Sequence, residues 1–252
     1  MDGARAVVIG GSRGIGRAVV EELTGLGAEV GIVSRTPFDA GDAGMQAAAV
    51  PAFEIRADVG TAAGRQALMQ AWPADWDRLD ALVHAAGMNV RKPTVEFTAE
   101  EYARILDTNL TSAFEITRAL RPRLAAAGQA SVVLVGSVAG QVSIGSGSVY
   151  AMSKAALEQM ARTLAVEWGR AGIRVNVVSP WYTRTGLVAP VLSNPDVVAR
   201  ILDRTPLGRI AEPAEVARAI TFLCLPASSY VTGHVINVDG GFSAYGFSPR
   251  PL

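Results

Sequence analysis

Tyr150 and Lys154 open a long helical pattern, and a spacing of four residues stacks both side chains on one helix face. Ser137 stands thirteen residues before the tyrosine, at the end of an apolar run, and Asn109 lies in the helical pattern before that. A phenol with its ordinary pKa of about 10 is a sluggish proton donor at neutral pH unless its phenolate is stabilised. An ammonium about 4 Å away supplies on the order of 4 kcal/mol at an effective dielectric near 20, or about three pKa units. On that expectation Tyr150 protonates a carbonyl oxygen while the Ser137 hydroxyl bonds the same atom. Ketone reduction also needs a hydride, which a protein takes from a nicotinamide. Composition adds an independent hint, because only Lys92 and Lys154 among the 23 basic residues are lysines. Arginine does not exchange a proton as readily.

The first apolar run offers a seat for the hydride carrier. It leads directly into Gly10-Gly11-Ser12-Arg13-Gly14-Ile15-Gly16 and then an amphipathic helical pattern. Glycine permits positive φ and has no Cβ, so the backbone can approach a pyrophosphate while the helix N-terminus presents free N–H groups. The G-x-x-x-G-x-G spacing differs from the G-x-G-x-x-G dinucleotide fingerprint. Its place at the first strand-to-helix junction gives it weight. About 20 residues past such a turn, an acidic residue would bond the ribose 2′-hydroxyl and a basic one would take a 2′-phosphate. Ser34 and Arg35 stand there, and Arg13 can converge on the same group. Two guanidinium forks suit a dianion, so NADP(H) is expected over NAD(H). A methyltransferase would want an acid where Arg35 stands and is disfavoured. Asp58 is open to two readings, as a partner of the adenine amino group or as a helix N-cap before Thr61.

Elements to hold these groups are legible. Val- and Ile-rich runs lie near Arg5 to Ile9, Glu29 to Ser34, Ala52 to Ala57, Ala81 to Ala85, Ser131 to Gly136, Arg174 to Ser179 and His234 to Val238. Helical patterns alternate with them near Gly14 to Thr24, Thr61 to Ala71, Ala99 to Ala127, Val149 to Arg170 and Pro213 to Leu225. This alternation predicts an α/β fold, doubly wound around a seven-stranded parallel sheet, in a single domain over residues 1–252. Thr98-Ala99-Glu100-Glu101 reads as a capping box, and Pro213 fits a first helical position. Between 36 and 49 periodicity fades, and a loop with at most a short helix is expected. Residues 181–210 are the long interruption, expected as a lid or binding loop.

Composition narrows the function classes. A chain of 252 residues, 50% hydrophobic, buries about three quarters of its unfolded surface without disulfide or metal. The lone Cys224 excludes an internal disulfide, a four-cysteine zinc site and a CxxC pair. Two histidines with no H-E-x-x-H give no metal site. His84 reads as a satisfied strand-end residue and His234 as a strand residue near an interface. With 23 basic and 23 acidic residues and no basic run, neither nucleic acid nor an anionic membrane is an expected partner. No stretch of 18 apolar residues occurs, and the first 30 residues lack a signal peptide's charged start and apolar block. A cytoplasmic protein is expected.

Together these residues resemble the short-chain dehydrogenase/reductase family, over essentially all 252 positions. The family's glycine motif falls on Gly10, Gly14 and Gly16, and its catalytic tetrad on Asn109, Ser137, Tyr150 and Lys154. The resemblance implies a Rossmann-type fold, with Tyr150 as general acid and Lys154 binding the nicotinamide ribose and lowering the tyrosine pKa. It implies that Ser137 orients the carbonyl and that Asn109 holds a water in a proton relay. It also implies cofactor contacts from Ser12, Arg13 and Ile15, from Asp58 and Val59, from Ala85, Ala86 and Gly87, and from Pro180, Thr183 and Thr185. Asn89-Val90-Arg91-Lys92-Pro93-Thr94, Pro180-Trp181-Tyr182, and the segments 226–233 and 238–241 are most similar to the tropinone reductase-like branch. Three residues depart from the family pattern. Ile9 stands where a threonine usually braces the glycine turn, His84-Ala85-Ala86-Gly87 replaces Asn-Asn-Ala-Gly, and Trp181 replaces a glycine after proline.

The substrate side is less determined. Trp181, Tyr182, Leu187, Val188, Ala189, Pro190, Val191 and Leu192 would give an apolar wall beside the nicotinamide, suited to a compact hydrophobic ketone or its alcohol. Arg184, Arg204 and Arg209 could still meet an acidic substrate, so a 3-oxoacyl carrier-protein reductase or a polyol or keto-sugar-acid dehydrogenase stays open. A non-catalytic NADP(H)-sensing protein is the alternative of another class, and it would need neither Tyr150 nor Ser137. The resemblance implies a homotetramer or homodimer pairing the helices at 99–127 and 149–170. The apolar tail from Phe242 to Phe247 is read either as a subunit contact or as a cover for the substrate pocket.

Overall fold

β-branched and small apolar residues alternate faces along β1 (Arg5–Ile9), so Ala6 and Val8 pack on one side while Val7 and Ile9 pack on the other. The computed structural model describes residues 1–38, 50–145 and 147–246. With β1 run β2 (Glu29–Ser34), β3 (Phe53–Arg56), β4 (Ala81–His84), β5 (Ala130–Val135), β6 (Ile173–Pro180) and β7 (Val235–Val238). All pair in parallel, in the order β3-β2-β1-β4-β5-β6-β7, so the chain winds outward in both directions from β1 and β4. That is the expected doubly wound α/β sheet. Its carboxyl edge, where such sheets bind ligands, gathers the ends of β1, β4, β5 and β6.

Helices cover both faces. Helix α1 (Gly14–Gly25) and α8 (Pro213–Cys224) lie on one side through Val19, Val20, Leu23, Val216 and Ile220. On the other side lie α2 (Ala62–Gln70), α3 (Ala99–Leu106), α4 (Ser112–Ala126) and α5 (Ser148–Trp168), with Leu68, Ile116, Leu120, Leu157 and Trp168 in the core. The capping box at Thr98 forms, Glu101 answering the Thr98 N–H, and Pro213 takes the first turn of α8. No helix among the described residues is long and apolar enough to cross a membrane.

Two expectations require correction. The stretch 181–210 is not a bare loop but carries α6 (Ala189–Leu192) and α7 (Pro195–Asp203). Asn194 caps α7 by accepting from the N–H groups of Asp196 and Val197, and Pro195 pre-sets its first φ. An Asn-Pro-Asp start signal was therefore present in the sequence. The pattern from 99 to 127 is not one regular helix either, because a π-turn over Asp107–Thr111 separates α3 from α4. The expected loop between 36 and 49 lies, from residue 39 onward, outside the described residues.

The π-turn has an identifiable support. Ser112 Oγ donates to the Thr108 carbonyl at 2.6 Å and accepts from Nε2 of His84, at the end of β4, at 2.9 Å. His84 is buried, and desolvation, followed by the positive field of Lys154, lowers its pKa to about 3. The imidazole is thus a neutral brace between sheet and turn, as its reading as a satisfied strand-end residue anticipated. Ser112→Ala leaves that buried N–H without an acceptor and is expected to cost about 1–3 kcal/mol. Urea denaturation measures it, and an unchanged midpoint would contradict the brace.

Candidate active site

Helix α1 begins with no side-chain cap and no acidic residue in its first turn, so its N–H groups stay available. The glycines before it are sterically required. A Cβ on Gly16 would lie 2.2 Å from the Gly10 carbonyl oxygen, and one on Gly10, at φ +85°, would lie 2.8 Å from the Ala86 nitrogen. Close packing of helix, strand and the β4 exit therefore shapes the anion cradle as well. The side chain of Ile9 is buried and braces nothing polar. The turn is held instead by Gly10 N–H donating to the Val33 carbonyl at 2.7 Å and by Ser12 and Thr36 hydroxyls 3.0 Å apart. Ser34 Oγ adds a bond to the Thr36 carbonyl. Arg13 and Arg35 stand exposed at the rim, Arg35 Nη1 4.0 Å from Asp58 Oδ2. Thr61, not Asp58, caps α2 by accepting from Gly64 N–H at 3.0 Å, so the capping reading of Asp58 is set aside. Its carboxylate faces Arg35 and accepts from Gly60 N–H.

The proposed acid–base groups meet at the other end of the same cleft. Ser137 ends β5 and turns the chain, its Oγ accepting from Ala139 N–H at 3.2 Å. Gly140 completes that turn against α5, where a Cβ would meet the Ala155 nitrogen and the Lys154 carbonyl carbon, each at 2.9 Å. This approach sets Ser137 near Tyr150, on the wall of the same cavity. Lys154 is 4% exposed, its Nζ donating to the Val135 carbonyl at 2.8 Å and lying 5.6 Å from the centroid of the Tyr150 ring. The two side chains point the same way, as their spacing required.

Their protonation departs from the sequence-based expectation. Burial raises the Tyr150 pKa above its ordinary value, opposed by the Ser137 hydrogen bond and the field of Arg91, while Tyr182 adds to the rise. Burial lowers Lys154 to about 8. Desolvation favours the neutral form of each group, and a lysine that is neutral above about pH 8 does not depress the phenol as expected. Tyr150 is thereby held as a protonated donor, the form that reduction of a carbonyl requires.

Asn109 sits behind these groups, wholly buried in the π-turn. Its Oδ1 accepts from Met88 N–H at 2.8 Å, and its Nδ2 donates to the Met88 carbonyl and to Ser153 Oγ, both at 3.0 Å. The side chain thus fixes the exit of β4 to α5 and does not reach the cavity wall. Gly87 leaves room between Asn109 and Lys154.

Cradle and acid–base groups line one cavity of about 530 Å³. Its nucleotide end is walled by Gly10, Ser12, Arg13, Gly14, Ile15 and Gly16, with Ser34, Arg35, Asp58 and Val59. Ala85, Ala86 and Gly87 line it as well, as do Pro180, Thr183 and Thr185. Trp181, Tyr182, Leu187 and Val188 line the remaining part. Ala189, Val191 and Leu192 do not, because in the helical turn of α6 it is Pro190 that faces the cavity. Trp181 stacks on Phe242 at 3.7 Å, and its Nε1 donates to Thr205 Oγ1 at 3.1 Å. The start of the apolar tail therefore packs on the back of the lid; Phe247 lies outside the described residues.

The arginines expected to meet an acid are engaged elsewhere. Arg184 pairs with Glu212 at 2.9 Å, Arg209 makes two bonds to Glu215, and Arg204 lies over Tyr245 at 4.5 Å. Asn89, Arg91 and Ile144 line the cavity without having been assigned a role from sequence. Position alone could have pointed to the first two, since they follow β4 at the ligand-binding edge.

The chain is similar to known proteins over nearly its whole length. A family model described as enoyl-(acyl carrier protein) reductase matches residues 9–243. A tropinone reductase homolog of Arabidopsis thaliana is 47% identical over 249 residues, covering 98% of this chain and 94% of the relative. A second, chloroplastic, homolog from the same plant is 43% identical over 258 residues, covering 99% and 79%. Among solved structures, the TT0495 protein of Thermus thermophilus superposes with a TM-score of 0.88 at 38% identity, covering 96% of this chain and 99% of that one.

The lowered Lys154 pKa has a signed consequence for ligand binding. An anionic dinucleotide favours the ammonium, so affinity is expected to be highest below about pH 8 and to weaken as pH rises through the lysine pKa. Titrating nicotinamide dinucleotide by fluorescence at pH values from about 6.5 to 9.5, without a ketone, measures this, with a decline approaching about tenfold per unit. A constant affinity across that range would contradict it.

Proposed function

This chain belongs to the short-chain dehydrogenase/reductase family, and we propose that it is an NADPH-dependent carbonyl reductase converting compact, largely apolar ketones reversibly to secondary alcohols. The observation that carries the proposal is one cavity holding the glycine cradle at one end and Ser137, Tyr150 and buried Lys154 at the other.

The cofactor fits the residues present. Side chains at Gly10 or Gly16 would fill the cradle, and the uncapped start of α1 directs N–H groups into it. Arg13 and Arg35, exposed beside it, would hold a 2′-phosphate, which favours NADP(H). When bound, the cofactor supplies the hydride delivered to the carbonyl carbon. Tyr150 gives its proton to the carbonyl oxygen, and Ser137 donates to that oxygen as negative charge develops. Lys154 binds the nicotinamide ribose and shields the phenolate that Tyr150 leaves behind. Asn109 acts as a positioning residue through Met88 and Ser153, a role better supported than the water-holding one.

Ile144, Trp181, Tyr182, Leu187, Val188 and Pro190 make the substrate wall mainly apolar, which supports a compact hydrophobic substrate. Exposed Phe114, Met152 and Val166 on α4 and α5 support pairing of those helices in a homodimer or homotetramer. A cytoplasmic location completes the proposal.

Tyr150→Phe is expected to lower ketone reduction by at least about 100-fold while dinucleotide still binds. Retained activity would remove Tyr150 from its role. Arg35→Ala is expected to weaken NADPH binding by roughly 10- to 100-fold, the loss of one charge-assisted contact, and to leave NADH binding nearly unchanged. Isothermal titration with both cofactors measures the ratio, and an unaltered ratio would argue for NAD(H).

A further inference from the structure

The charges around the cavity are unevenly distributed. Arg13, Arg35 and Asp58 lie at the nucleotide end, where Asp58 already faces Arg35. At the substrate end the charged lining residues are Arg91 and Lys154, and no Asp or Glu lines that part among the described residues. Lys154 is buried and tied to the Val135 carbonyl, whereas Arg91 is exposed on the segment following β4. Arg91 forms no ion pair among the described residues. Its one hydrogen bond there is a long one, Nη1 donating to the Leu187 carbonyl of the lid at 3.4 Å.

Two further observations place Arg91 at the reacting end. It lines the same cavity as Tyr150, and its charge acts on the phenol. Asn89, two residues earlier on the same wall, has a buried Oδ1 with no partner. An amide can turn either its oxygen or its NH₂ toward a bound group, so this wall has unspent polar capacity beside the guanidinium.

We propose that Arg91 makes this site selective for oxo acids: ketones with a compact apolar body and a carboxylate, which the guanidinium receives while Tyr150 and Ser137 hold the carbonyl. The inference rests on the carbonyl reductase reading and adds the charge of the substrate to it. A fork of N–H donors matches a carboxylate in shape and charge. A protonated amino ketone would meet Arg91 and Lys154 with no counter-charge, so the same residues select against cations.

Initial rates with NADPH would be compared for oxo acids whose carboxylate stands one, two or three carbons from the ketone, for their methyl esters, and for a protonated amino ketone of similar size. The best acid is expected to exceed its own ester in kcat/KM by about tenfold or more, and the amino ketone to be the poorest of the set. The acid-to-ester ratio should fall as salt is raised. In Arg91→Gln it should collapse toward one, mainly through a higher KM for the acid, and Arg91→Lys should restore part of it. Esters and acids reduced alike by the unaltered protein would overturn the inference and leave the reductase reading standing. So would an Arg91→Gln variant that slows acid and ester in parallel, because Arg91 would then serve only as a latch to Leu187. Failure to reduce any of these ketones would overturn both.

Discussion

A lysine with 4% of its surface exposed, whose ammonium is held by the Val135 carbonyl beneath the Tyr150 ring, is the constraint around which the site is organised. Removing that charge from water is costly, and the protein accommodates it with a lowered pKa and no carboxylate partner among the described residues. Several otherwise unrelated features serve this placement. The close approach at Gly140 brings the end of β5 to α5, and Gly87 leaves the space beside Nζ. The π-turn sets Asn109 between the β4 exit and α5, and neutral His84 braces that turn through Ser112.

Much of the fold was readable because parallel strands buried on both faces appear as unbroken Val- and Ile-rich runs. All seven lie within a residue or two of their expected bounds. The glycine cradle, Ser137, Tyr150 and Lys154 were readable for a related reason, since each sits at a strand end or on a fixed helical spacing. What escaped depends on tertiary contact. A π-turn changes no periodicity that a sequence shows clearly, and it exists here because Ser112 finds both His84 and the Thr108 carbonyl. The phenol pKa was misjudged because a pairwise Coulomb estimate omits desolvation, which in this site acts on both partners and prevails.

The arginines illustrate the same limit. In a chain where nearly every cation is arginine, composition cannot say which ones face a ligand. Arg184 and Arg209 lie near the lid in sequence but are neutralised by Glu212 and Glu215 across the start of α8. At the substrate end, Arg91 combines a place in the cavity wall with the lack of a carboxylate partner among the described residues. The lid itself is anchored from outside, where Trp181 stacks on Phe242 and bonds Thr205. The wall at this end of the cavity is thus shaped by three separate segments, after β4, after β6 and after β7.

The chain's two lysines make the central claim directly measurable. Lys92 pairs with Glu101 at the surface, while Lys154 is enclosed. An NMR titration of protein carrying isotope-labelled lysine should therefore resolve two side-chain signals. Burial of Lys154 beneath the Tyr150 ring predicts that one of them titrates near pH 8 in the ligand-free protein. If both titrate at or above the ordinary lysine value of about 10.4, the ammonium is not desolvated and the account of the site fails.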